Sequence, residues 1–148
     1  MQKRRGISPV IATVIIVAVT IAVAIAVAFW MTGIVGLFTA AEKLEIVSLF
    51  AQPAPGGGWT VTITVRNTGT TPTSIDEIFI NGVPQAQCQG AQFPQLPIPL
   101  NPGDQQTFQI TLAANGQCGP TTFTAGGSIE VKLHTTGGKE YPKLTVLP

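Results

Sequence analysis

The chain has 148 residues, 45% of them hydrophobic and only 10% charged, with a formal net charge of +1. Its charges are unevenly placed: Lys3, Arg4 and Arg5 lead, Glu42 and Lys43 cancel, and residues 45–148 carry four basic and six acidic groups. That larger part holds no basic patch, which leaves nucleic-acid binding without support.

In chain order, the basic tip Lys3-Arg4-Arg5-Gly6 runs directly into a charge-free apolar stretch from Ile7 to Ala41. A helix needs about 20 apolar residues to cross a hydrocarbon core of roughly 30 Å. At about 1.5 Å per residue, a helix from Ile7 to Ala41 measures roughly 52 Å. Hiding it by tilt alone needs roughly 55°, outside the usual range of about 0–40°. The bilayer shelters only part of it, and identical copies of the chain are the simplest cover for the rest.

A secretory signal has an apolar core of about 7–15 residues followed by a cleavage site. This run is longer and continues through Phe29, Trp30, Met31 and Leu37, so cleavage behind it is not expected. Basic residues before the span keep that end cytoplasmic and send the C-terminal part outside. Ser8 is positioned as N-cap and Pro9 as first helical residue, where a missing N–H costs nothing. Thr13, Thr20, Thr32, Gly33 and Gly36 are small or hydroxylated and permit close helix–helix approach. Gly33 and Gly36 fit equally well as a flexible spot above the membrane.

Lys3-Arg4-Arg5-Gly6 followed by Ile7-Ser8-Pro9-Val10-Ile11-Ala12-Thr13-Val14-Ile15 resembles the N-terminus of archaeal type IV pilins. The resemblance covers about the first thirty residues. It implies removal of residues 1–6 by a prepilin peptidase cutting between Gly6 and Ile7, with the helix retained. It also implies assembly by helix packing into a filament core, driven by a cytoplasmic ATPase and a membrane platform protein. Bacterial type IV pilins carry Glu at the fifth mature position, where this chain has Ile11, so docking through that carboxylate does not carry over. Archaellins tend to be Gly-rich in the early mature region, which this chain is not. The resemblance thus favours a pilus over a swimming filament.

Beyond residue 44 the apolar period changes to two, as in Trp59–Arg66, Gln106–Leu112 and Ser128–His134, the pattern of strands with one buried face. Weaker strands are predicted at Glu45–Ala51, Ser74–Ile80, Thr121–Thr124 and Lys143–Leu147. The four asparagines, Asn67, Asn81, Asn101 and Asn115, all stand at turn signals, and Gly137-Gly138 adds a hairpin. Seven or so short strands imply an immunoglobulin-like antiparallel β-sandwich. The expected organisation is α+β: a leader over 1–6, a membrane and filament-core helix over 7–44, and an extracellular sandwich over 45–148. Val65–Gly69 and Leu100–Asp104 also resemble segments of Ig-like adhesion-related modules on prokaryotic surfaces.

Cys88 and Cys118 both fall in the part placed outside. Even count and compartment favour a disulfide over two buried thiols. Pro84–Gln105, rich in Pro and Gln, reads as a long loop restrained by Cys88. It serves either as a contact surface or as a stapled cover for the sandwich edge.

No constellation for catalysis, cofactor or metal emerges. His134 ends an alternating strand and reads as a solvent-facing sheet position. Asp76 and Glu77 are adjacent in a strand, which predicts opposite faces. Asp104 suits a turn. None of the asparagines lies in an N-glycosylation sequon, while Thr68, Thr70, Thr71 and Thr73 are compatible with O-linked sugars. The leading expectation is a non-enzymatic major pilin of an archaeal adhesive type IV pilus, a homopolymer at the cell surface that is membrane-inserted before assembly. The alternative is a membrane-tethered minor pilin or Ig-like binding module; an archaellum subunit ranks below both.

Overall fold

The computed structural model describes residues 8–148, the side chains of residues 37–39 apart. The chain divides into a helical unit ending at Ala40 and a β unit, Ala41–Pro148. The helical unit holds α1 (Pro9–Thr39), with Ala40 extended at its C-terminal end. The Ser8 carbonyl accepts the Ala12 N–H at 3.1 Å, which starts the helical ladder with Pro9 in the first turn. Ser8 stands at the N-cap, but its side chain makes no capping bond.

The β unit contains β1 (Leu44–Pro53), β2 (Trp59–Asn67), β3 (Thr73–Ile80), β4 (Val83–Pro84), β5 (Cys88–Gln92), β6 (Ile98–Leu100), β7 (Gln105–Cys118), β8 (Thr121–Thr122), β9 (Ser128–Thr135) and β10 (Glu140–Val146). One sheet has the order β1-β2-β7-β5, with β8 also on β7; the other runs β10-β9-β3-β4, with β6 also on β3. All the pairings are antiparallel. The architecture is the α+β arrangement expected, an N-terminal apolar helix followed by a β-sandwich.

Register explains the core. Trp59, Val61 and Ile63 stand opposite Leu112, Ile110 and Phe108, and Ile78 and Ile80 stand opposite Leu133 and Val131. Every one of these side chains is buried. Because residues alternate faces along a strand, the same register turns Thr60, Thr62 and Thr64 outward.

Four sequence expectations need correction. The helical segment was expected to run to Leu44, yet α1 stops at Thr39 and Leu44 opens β1 with its side chain in the sandwich core. Glu42 and Lys43 separate the two periodicities, and burying Leu44 in the sandwich removes it from any helix. Asn115, expected at a hairpin turn, lies inside β7 with φ of 63°, a kink after which β7 runs on to Cys118. β7 pairs with β2 over residues 105–112 and, on its other edge, with β5 at Thr111, Leu112, Gln117 and Cys118, so the stretch around Asn115 bulges out of that second pairing. Pro84–Gln105 is largely ordered as β4, a 3-10 turn at Gln85–Gln87, β5 and β6, crossing between the sheets and back. Phe93, Leu96 and Ile98 pack against the core there, which gives the segment its anchorage. Finally, a bulge between Ile75 and Glu77 resets the alternation of β3. Asp76 and Glu77 thus both escape burial, instead of one turning inward.

Candidate functional site

The candidate site is the surface of α1. Val10, Val14, Ile21, Val27, Phe29, Trp30 and Val35 occupy different sides of the helix and are all exposed. Phe29 and Trp30 leave 75% and 65% of their surfaces bare. Soluble monomers rarely leave an apolar surface of this extent uncovered, and such surfaces mark protein or membrane contacts. The helix is long and apolar enough over Pro9–Gly36 to cross a membrane. Its 31 residues give a rod of about 46 Å. That is shorter than the apolar run suggested, yet hiding it under about 30 Å of hydrocarbon still needs a tilt of roughly 50°.

The threonines of α1 satisfy themselves. Thr13 Oγ1 donates to the Val10 carbonyl at 2.8 Å and Thr20 Oγ1 to the Val17 carbonyl at 2.8 Å. Thr32 Oγ1 shares its proton between the Phe29 and Ala28 carbonyls, at 3.0 and 3.1 Å. Such back-bonding spends the hydroxyl locally, so each threonine presents a small, effectively apolar bump outward.

Two shallow apolar grooves relieve this surface. Thr13, Val14, Val17, Ala18 and Ile21 line one; Ile25, Ala28, Phe29 and Thr32 line the other. Val14, Ala18, Ile21, Ile25, Ala28 and Thr32 follow each other at alternating spacings of four and three, so both grooves lie on one face. Ridges of a neighbouring helix seat in grooves of this kind. Of the small residues singled out from sequence, Thr13 and Thr32 line these grooves, whereas Thr20, Gly33 and Gly36 do not. Sequence reasoning passed over Ala18 and Ala28; their lack of bulk between larger neighbours is the signal that finds them. Lys3, Arg4, Arg5, Gly6 and Ile7 lie outside the described residues.

The first residues of the β unit are tied firmly into it. Ala41 N–H donates to Thr70 Oγ1 at 3.0 Å, and its carbonyl accepts the Thr70 N–H at 2.8 Å. The Lys43 carbonyl accepts the N–H groups of Thr68 and Gly69 at 2.8 and 3.0 Å. Glu42 accepts the Thr73 hydroxyl at 2.8 Å, and Lys139 Nζ donates to the Glu42 carbonyl at 2.6 Å. Gly69 is required here by space: a Cβ would run into the Ala41 carbonyl and stand 2.6 Å from Lys43 N.

Beneath this clamp lies Asn67, fully buried. Its amide donates to the carbonyls of Thr71 and Leu100 at 2.9 and 3.0 Å, and its Oδ1 accepts the Gly69 N–H at 2.9 Å. Asn67 N–H and carbonyl are also paired, with Asp104 and Gly103. Asp104 in turn bonds Asn101 through backbone and side chain, both at 3.0 Å. The two segments resembling adhesion-module motifs therefore meet on one buried amide.

Cys88 and Cys118 stand opposite each other on β5 and β7 and form a disulfide. His134 Nδ1 pairs with Asp76 Oδ1 at 2.6 Å, both partly exposed. Lys132 bridges to Glu140 at 2.9 Å and lies 4.9 Å from the centre of the Phe79 ring. Among the described residues no three His, Cys, Asp or Glu side chains gather as a metal site.

No protein-family model and no curated protein matches this chain. Among solved structures, the apo PCuAC domain from PmoF1 is similar, with a TM-score of 0.50 and 16% identity, covering 73% of this chain and 98% of that one. The archaellum periplasmic stator protein FlaG from Sulfolobus acidocaldarius is similar with a TM-score of 0.42 and 16% identity, covering 70% of this chain and 99% of that one. The archaeal flagellum of Methanospirillum hungatei strain JF1 gives a TM-score of 0.45 and 17% identity, covering 93% of this chain and 88% of that one. At such identities the first likeness speaks to the β-sandwich fold alone.

Proposed function

We propose that this chain is the major structural subunit of an archaeal extracellular type IV pilus used for attachment. The single observation behind this reading is α1: apolar on every side, grooved along one face, and longer than a bilayer shelters. The pilin-like start, Lys3-Arg4-Arg5-Gly6-Ile7-Ser8-Pro9, supports it. In the membrane, before assembly, the basic tip faces the cytoplasm and the β unit faces outward. A prepilin peptidase then removes residues 1–6, and the assembly ATPase and platform protein deliver the helix to the growing filament. Sister helices replace lipid around α1, with Ala18, Ala28 and Thr32 allowing close approach. The role is structural, with no catalysis, cofactor or metal. A membrane-tethered minor pilin or Ig-like binding module is the second reading, favoured only by the span-competent segment Pro9–Gly36.

The mass of the mature protein tests the processing. A polypeptide starting at Ile7 agrees with the pilin pathway; an intact Met1 contradicts it.

A further inference from the structure

The two sheets of the β unit differ sharply in charge. On the strands of the second sheet stand Asp76, Glu77, Glu130, Lys132, Glu140 and Lys143. The first sheet carries only Glu45 and Arg66, which face each other at one end of the β1–β2 register. Lys143 Nζ, from the second sheet, reaches the Ile46 carbonyl of β1 at 2.8 Å near that same end. Beyond it the strands of this sheet carry no charged residue. There Thr60, Thr62 and Thr64 of β2 stand opposite Thr111, Gln109 and Thr107 of β7. Thr64 and Thr107 link their hydroxyls at 3.0 Å. Phe50 of β1 pairs with Thr62 and is 43% exposed, an aromatic ring set into a field of hydroxyls and amides. Strand spacing and rise make this field about 14 by 13 Å over β1, β2, β7 and β5. At the β5 side it continues into an open groove of about 400 Å³ that includes Thr111, Gln92 and the glycines Gly57 and Gly90.

We infer that this face binds a neutral polysaccharide, which names the attachment target of the pilus proposed above and rests on that reading. A neutral polyhydroxylated chain matches the face in charge, since docking desolvates no ion on either side. It also matches in bonding: hydroxyls and amides supply donors and acceptors in alternate positions, as sugar hydroxyls require. The Phe50 ring offers the apolar surface on which a sugar ring face stacks. A second protein copy fits less well. Protein interfaces draw their energy from Trp, Tyr, Arg and Met anchors, while Ser and Thr contribute few hot spots. Phe50 and the exposed Val47 of β1, among six Thr and Gln side chains, do not make such an interface.

The probes are microcrystalline cellulose and chitin, incubated with the full chain in a sugar-free zwitterionic detergent and assayed by depletion from solution. Retention on at least one, with a tenfold or greater loss for Phe50→Ala and for Thr62→Lys and no loss for Lys132→Gln, is the expected result. Circular dichroism checks that each variant is folded, and Gln109→Glu, at an exposed position, replaces Thr62→Lys if that variant is not. No retention on either polymer, or equal retention of the face variants and the parent chain, overturns the inference. So does loss of copy–copy association in Thr62→Lys with polymer binding intact, because the face then belongs to another copy. Filaments without polymer binding defeat this inference and leave the pilus role standing; binding by a chain that never forms filaments does the reverse.

Discussion

Asn67 ties three backbone partners together through one buried amide. A buried amide satisfying three partners at once leaves two carbonyls and one N–H stranded when it is removed, and each stranded group costs about 1–3 kcal/mol. Asn67→Ala is therefore expected to destabilise the β unit by about 3 kcal/mol, read as a lowered denaturation midpoint followed by fluorescence in a Trp30→Phe background, where Trp59 is the remaining tryptophan. An unchanged midpoint contradicts the role given to the amide. The turn at Asn67-Thr68-Gly69 and the turn at Asn101-Pro102-Gly103-Asp104 were each legible from residue type. That they close on one another was not, because the pairing depends on a contact across more than thirty residues. The His134–Asp76 pair was hidden for a related reason: it needs a bulge, and one inserted residue is invisible in a strand of only eight.

The elements themselves were easier to read. Strict alternation in β2, β7 and β9 marks the inner faces of the sandwich, and uninterrupted apolarity marks α1. What failed were ends and exceptions: where the helix stops, where β7 kinks instead of turning, and how Pro84–Gln105 folds. The last is held by the Cys88–Cys118 bridge, whose partners are separated by 30 residues. On the chain-entropy model such a bridge contributes about 3–4 kcal/mol. Replacing both cysteines with alanine is expected to lower stability by that amount and to speed hydrogen exchange along β5 selectively; uniform exchange changes throughout the sandwich argue otherwise. In α1, the grooves at Ala18 and Ala28 predict that filling them matters. Ala28→Phe places bulk where, on the proposed packing, a neighbouring ridge seats, and overpacking a site costs about 1–3 kcal/mol. Summed along a filament, this is expected to cut the assembled fraction tenfold or more while the β unit keeps its circular dichroism. A normal filament yield would show that this face of α1 touches nothing.

At the scale of the whole molecule, two surfaces of opposite character are joined in one chain. The helix is apolar all round and about 46 Å long, while the β unit has its own sealed core and an exterior poor in charge. Lipid satisfies the first only in part, and water satisfies the second completely. On the proposed pilus reading this imbalance makes the helix the assembly element, since packing sister helices together covers the remainder. Electron cryomicroscopy of the detergent-free fraction sheared from intact cells tests it directly. The expected image is a filament of this chain, with α1 of neighbouring copies packed against each other over Ala18–Thr32 and the sandwiches outside. Single molecules in that fraction, or a chain that stays entirely with the membrane, would contradict it.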